Sequence, residues 1–339
     1  MDSKSLLFGA TLLALSGPAF ADHMGPSSVG GGGGLTVSSP DTLDAGHGSV
    51  GFRLSFTRPD HRSDAQLEAL AADGIAAHNT DYNLNASLGI AYGINHHLTI
   101  AAELPYVRRD DLREGTVGEV ERLGSVTGIG DVNVLVKYRL TDGAGLGFAL
   151  LGGLKLPTGG THQRAGDGER LETEHQPGTG SWDPLFGAAA ATQIGPLRLS
   201  ASALYQLTTK GAQDTRLGDR LQGGVALSHR FGQAAPHPAE VSRNHHHGDE
   251  LDDHPELPAH ATWDAFVELG GEWEGRQKIA GETERESGGT WLYVAPGARF
   301  NFAAKWSAGA AIALPIWQDI RASHPDNRYR LMLSLGRSF

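Results

Sequence analysis

The chain has 339 residues, 47 of them Gly and none Cys, with a formal net charge of -11. Without cysteine there is no disulfide framework and no thiolate metal site, and the acidic balance argues against a nucleic-acid partner. A mean hydropathy of -0.28 excludes a bundle of transmembrane helices, each of which needs about 20 consecutive apolar residues; a soluble protein or a β-barrel remains, since barrel strands hide lipid-facing residues among polar ones.

At the N-terminus, Lys4 precedes the apolar run Leu6 to Leu15. The helix breakers Gly17 and Pro18 follow, then the small-x-small triplet Ala19-Phe20-Ala21. This order predicts an export signal over residues 1–21, cleaved before Asp22. Residues 22–47 include five consecutive glycines, Gly30 to Gly34, and too little apolar surface to order themselves. They read as a flexible periplasmic lead-in.

From Val50 onward the hydrophobic period is two. Val50, Phe52, Leu54 and Phe56 alternate with Gly51, Arg53, Ser55 and Thr57, as a strand with one apolar and one polar face requires. The pattern returns at Tyr82 to Tyr92, Leu98 to Tyr106, Val132 to Leu140, Leu146 to Leu156, Phe186 to Ile194, Leu197 to Leu207 and Leu221 to Phe231. It appears again at Trp263 to Trp273, Leu292 to Phe300, Trp306 to Ile316 and Tyr329 to Phe339. Short turns near Gly93 to His96, Thr141 to Gly145, Gly195 to Pro196 and Ala303 to Lys305 alternate with long polar loops at 58–79, 107–126, 158–180, 209–217, 276–289 and 318–327. That layout predicts an all-β fold over residues 48–339, a transmembrane up-and-down antiparallel β-barrel of about twelve strands. In the first long loop, Ser63 is placed to cap a short helix carrying Leu67, Leu70 and Ala71.

The polar faces of these strands carry Arg53, Glu103, Asp131, Lys137, Arg139, Lys155, Arg198, Arg230, Asp264, Glu268 and Glu272. Unpaired buried charges are too costly for a soluble core, so these residues are expected to line a lumen, paired across it, while the apolar faces meet lipid. Trp182, Trp263, Trp273, Trp306 and Trp317 fall near strand ends, where aromatic rings prefer the headgroup level. The terminal Phe339, with Tyr329, Leu331, Leu333 and Leu335 at alternate positions before it, resembles the signal by which barrels engage the outer-membrane assembly machinery.

The phrases AAELPYVRR (101–109), TGIGDVNVLVKYRL (127–140) and LGGLKLPTGG (151–160) resemble those of the meta-pathway phenol-degradation family of outer-membrane proteins. The resemblance covers most of residues 48–339. It implies a barrel engaged in transport and carries no site residues with it.

Two chemistries compete with a plain channel. A barrel hydrolase needs a serine within reach of a histidine, and Ser181 shares a loop with His162 and His175. The His-rich insertion 233–260 falls where a short periplasmic turn belongs. Its His237, His245, His246, His247, His254 and His260, beside several carboxylates, suit Zn, Cu or Ni. The expectation is an outer-membrane channel or transporter for a small solute, either an aromatic or hydrophobic compound or a transition metal. The alternatives are an outer-membrane hydrolase and a plugged structural or metal-binding barrel. Expected partners are membrane lipid, the assembly machinery through Phe339, and the solute.

Overall fold

The computed structural model describes residues 34–141, 145–232, 261–302 and 305–339. Twelve antiparallel strands follow one another: β1 (Gly48–Pro59), β2 (Tyr82–Asn95), β3 (Leu98–Thr116), β4 (Asn133–Arg139), β5 (Gly147–Lys155), β6 (Asp183–Ile194), β7 (Leu197–Gln206), β8 (Arg220–Phe231), β9 (Thr262–Glu274), β10 (Gly289–Phe302), β11 (Trp306–Ile320) and β12 (Asn327–Ser338). Each pairs with its neighbour in the chain, and β1 pairs with β12 from Ser49↔Ser338 to Thr57↔Arg330, so the sheet closes on itself. Closure pairs each of the twelve wall strands on both sides, the condition for a sheet to cross lipid. At the seam, Gly48 and Phe339 exchange both backbone hydrogen bonds at 2.9 Å.

Strand β9 shows how the sequence writes the wall. Over Thr262 to Leu269 buried and exposed residues alternate without a break. Trp263, Val267 and Leu269 face outward, while Asp264 and Glu268 are each 1% exposed. Around the barrel the outward residues form a continuous belt including Leu88, Ile90, Ile100, Leu150, Val225, Leu314 and Leu333. No soluble monomer presents so much contiguous apolar surface to water; against hydrocarbon the same belt needs no cover. Stacked rings mark its two ends. Phe56 lies 5.3 Å from Tyr82 and 6.4 Å from Tyr329 at the long-loop end. Trp263, Phe300, Phe302 and Trp306 run ring to ring at the short-turn end, at 4.4, 5.4 and 6.4 Å.

Two loops are more ordered than their composition suggests. Helix α1 (Asp64–Ala72) starts at a capping box, the Ser63 N–H donating to Gln66 Oε1 at 2.8 Å while the Gln66 N–H meets the Ser63 hydroxyl, and it buries Leu67 and Ala71. The charged segment 107–126, expected as a solvated loop, instead prolongs β3 and returns through the strand Glu119–Ile129. Its reason is a small core of Leu112, Leu123, Val126 and Leu171. The charges find partners beside it: Arg113 pairs with Asp64 at 2.8 Å and Arg108 with Asp110 at 2.7 Å.

Candidate functional site: a lumen occupied by the N-terminal segment

Residues 34–43, part of the stretch read from composition as a flexible periplasmic lead-in, lie inside the barrel, and residues 44–47 are exposed at its short-turn end. The composition rule fails here because the wall supplies the partners that the segment lacks. Glu268 Oε1 on β9 accepts the Thr36 N–H at 2.9 Å and the Val37 N–H at 3.2 Å, and its Oε2 accepts the Thr36 hydroxyl at 3.2 Å. Arg299 on β10 donates to the Gly34 carbonyl at 2.8 Å, and the Ser38 N–H donates to Ser202 Oγ on β7 at 2.9 Å. Lys137 on β4 donates to the carbonyls of Ser39 (2.7 Å) and Asp41 (3.1 Å), while Arg198 on β7 meets the Asp41 carboxylate at 2.5 Å. Further down, the Leu43 N–H reaches Thr99 Oγ1 at 2.9 Å and the Thr42 hydroxyl reaches the His96 carbonyl at 2.6 Å, at the short-turn end. A Cβ on Gly34 would fall 1.5 Å from Glu268 Oε1, so a side chain there would require the Glu268 carboxylate to move.

The segment's apolar members seat on an apolar patch of the inner wall that period-two reading passed over. Leu35 packs with Phe266, Trp291, Tyr293, Ala295, Ala311, Ala313 and Met332. Trp291, fully buried, is the tryptophan absent from the expected girdles. The signal was legible in principle: on β10 the phase that sends Leu292 and Val294 outward sends Trp291, Tyr293 and Ala295 inward. Between the segment and the wall lies a cavity of about 90 Å³. Apolar Leu135, Leu151, Leu204, Tyr293 and Met332 share its lining with Lys137, Glu268, Glu272 and Arg330.

The residues expected along the lumen differ in what they meet. Lys137, Arg198 and Glu268 hold the N-terminal segment. Glu272 and Asp264 are tied to arginines of the same wall, Glu272 to Arg330 at 2.5 Å and Asp264 to Arg230 at 2.6 and 2.9 Å. Arg53 on β1 and Glu103 on β3 are buried on the inner face. Arg139 turns instead to the short-turn rim, where it donates to the Thr141 carbonyl at 2.9 Å.

Asp131 and Lys155 belong to a sealed node at the long-loop end rather than to open lumen. Lys155, 0% exposed, lies 2.8 Å from Asp131 and 3.0 Å from Asp183. Asp131 also accepts the N–H of Gly159 at 2.9 Å and of Thr179 at 2.8 Å. The Gly-Ile-Gly-Asp and Lys-Leu-Pro-Thr-Gly phrases thus meet at one ion pair, and their glycines have a steric reason: a Cβ on Gly159 would stand 2.6 Å from the Gly178 Cα. Ser181 joins the same node, its hydroxyl 3.2 Å from Lys155 Nζ and 2.8 Å from Thr179 Oγ1. Lys155 Nζ is thus engaged by two carboxylates as well as by Ser181. His162 contacts Thr161 at 2.9 Å, and His175 packs on His78, so neither histidine of that loop is engaged with Ser181 in these contacts.

Of the candidate metal ligands, His237, His245, His246, His247, His254 and His260 lie outside the described residues, as does the expected export signal. Among the described residues, the ligand atoms of His78, Glu174 and His175 lie within 4.8 Å of one another.

A family model described as "Putative MetA-pathway of phenol degradation" matches residues 25–245. No curated protein sequence matches the chain. An outer membrane channel from Pseudomonas putida F1 superposes with a TM-score of 0.56 at 16% identity, over 88% of this chain and 97% of that one. LpxR from Salmonella typhimurium reaches a TM-score of 0.39 at 12% identity, over 85% and 99%. A monoaromatic hydrocarbon channel, the TodX deltaS2S3 mutant, also reaches 0.39, at 10% identity over 89% and 92%. At such identities a likeness speaks for the fold, and only the first is close enough to do so: it shares the twelve-stranded antiparallel barrel.

Proposed function

The chain belongs to the MetA-pathway of phenol degradation family, and from that premise and the barrel's geometry we propose that it is an outer-membrane channel for small, largely apolar solutes such as aromatic compounds. The observation that carries this reading is the cavity between the N-terminal segment and the wall. Its lining sets Tyr293, Met332 and leucines beside Lys137, Glu268, Glu272 and Arg330. An aromatic ring bearing a hydroxyl or carboxyl group matches such a surface, the ring against Tyr293 and Met332 and the polar group against the charges. The belt and its aromatic ends suit the protein to a bilayer, and export through residues 1–21 would deliver it to the outer membrane.

Passage requires the N-terminal segment to move. At rest the channel is closed, and the solute or a fluctuation displaces residues 34–41 from their anchors. The test is uptake of radiolabelled phenol or benzoate into liposomes carrying the purified barrel, together with conductance in planar bilayers. Chain lacking residues 22–41 should conduct and admit solute faster than the complete mature chain. A folded, inserted barrel that passes neither ions nor aromatic solute in either form would refute the channel.

A second reading has its own support in the buried Leu35 and Val37: the segment is a permanent plug and the cavity a binding site. Solute retained by equilibrium dialysis, with no uptake even after residues 22–41 are removed, would favour it. An enzymatic role has less support, because Ser181 is committed to the Lys155 node.

A further inference from the structure

Under the long loops, away from the lumen cavity, four ionisable side chains from three separate loops meet in the protein interior. His78 comes from the short strand His78–Asn79, which pairs with Glu114 and Arg113 of β3. Glu174 and His175 come from the 3-10 turn Thr173–His175, and His324 comes from the loop between β11 and β12. The three histidines are 2, 3 and 7% exposed respectively. The His78 ring packs edge-on against His175 at 4.7 Å and against His324 at 4.5 Å between centroids. This arrangement turns His78 Nδ1 and His175 Nε2 toward the same Glu174 oxygen, at 3.8 and 3.6 Å. Those separations are too long for hydrogen bonds. They are close to the ~3.4 Å between ligand atoms that share a tetrahedral zinc at 2.0–2.1 Å.

We propose that His78, Glu174 and His175 bind a divalent transition metal, with Zn(II) the best match, and that the bound ion clamps the three loops over the outer end of the barrel. The fourth partner supports the assignment. His324 Nδ1 lies 2.8 Å from His78 Nε2. When His78 ligates through Nδ1 its proton resides on Nε2 and is donated to His324, the outer-sphere contact that orients metal-binding imidazoles. Two imidazoles and one carboxylate leave a fourth tetrahedral position for solvent.

Burial is the main influence on all four groups, lowering His78, His175 and His324 from the ordinary histidine range and raising Glu174.

The mature full-length barrel in detergent, stripped with chelator and titrated with ZnCl2, tests the proposal. Wild type should retain one more equivalent of zinc after gel filtration than His175→Ala or Glu174→Gln. His247→Ala, in the His-rich insertion, should keep that equivalent. His324→Ala should weaken it by roughly 10- to 100-fold. Equal zinc content and affinity in wild type, His175→Ala and Glu174→Gln, all folded by heat-modifiable migration, would overturn the site. Hydrogen exchange on wild type guards against variants that fail to fold: saturating zinc should slow the amides of residues 78, 173–175 and 323–324, and no slowing there would equally remove the proposal.

Discussion

Replacing Glu268 with alanine should release the N-terminal segment from the lumen. The Glu268 carboxylate accepts three hydrogen bonds from Thr36 and Val37, at 2.9, 3.2 and 3.2 Å. Hydrogen bonds to a charged group each contribute about 1.5–3 kcal/mol. Because the three share one carboxylate they do not add fully, and a combined effect of about 3–4 kcal/mol is reasonable. At about 1.4 kcal/mol per factor of ten, this shifts the seated-to-displaced equilibrium by roughly 10² to 10³. Glu268→Gln keeps an acceptor oxygen while losing the charge, and since charge-assisted bonds are about twice as strong as neutral ones, it should give a shift nearer tenfold. The chain has no cysteine, so Val37→Cys introduces a single thiol at a site only 1% exposed. The rate at which a small maleimide modifies that thiol reports the displaced population. It should rise about a hundredfold when Glu268→Ala is added, with conductance rising in parallel. Identical labelling rates with and without Glu268→Ala, in barrels that are equally folded, would refute the anchoring argument.

The node that joins the two sequence phrases makes a separate prediction. Lys155→Met leaves Asp131 and Asp183 buried without their shared cation, and breaking such a pair costs about 3–5 kcal/mol; the urea midpoint for loss of the heat-modifiable band should fall accordingly, and an unchanged midpoint counts against it. Deleting Phe339 removes the reciprocal backbone hydrogen bonds with Gly48 at the barrel seam, so the truncated chain should be exported yet recovered mostly unassembled, as read by the folded band in membrane fractions. The loop cap should respond to pH in a set direction. His175 and His324 are lowered to about 3 and 4, so their contribution is complete above the unfolded histidine value near ~6.5 and is lost as pH falls through that window. Glu174, raised to about 8, acts in the opposite sense, favouring the closed cap below ~4.3 and losing that contribution as pH rises through 8. The histidines' share therefore lowers the protection factors of the loop amides, taken relative to the base-catalysed intrinsic rate, on acidification from pH 7 to 5, and His175→Gln should reduce that loss. A loss of protection of the same size in wild type and His175→Gln would contradict it.

The barrel was legible in the chain because its information is local. A strand that separates lipid from a polar interior repeats every two residues, and twelve such stretches with alternating short and long connections admit few other folds. The apolar belt, the aromatic ends and most of the inward charges follow from that period, and the helix begun by Ser63 from its cap. What the inward face encloses does not follow from it. Composition makes residues 34–47 look unable to order, because the groups that order them are distant in sequence: Thr36 and Glu268 are separated by 232 positions. The same holds for the histidines under the loops, where His78 and His324 stand 246 positions apart and neither lies in the His-rich stretch that draws the eye. Trp291 needed only the correct phase of its strand, but its meaning needed Leu35 opposite it. Local periodicity determines which way each side chain points; only closure of the sheet decides which residues then meet across the enclosed space, and both the occupied lumen and the histidine cluster are products of that closure.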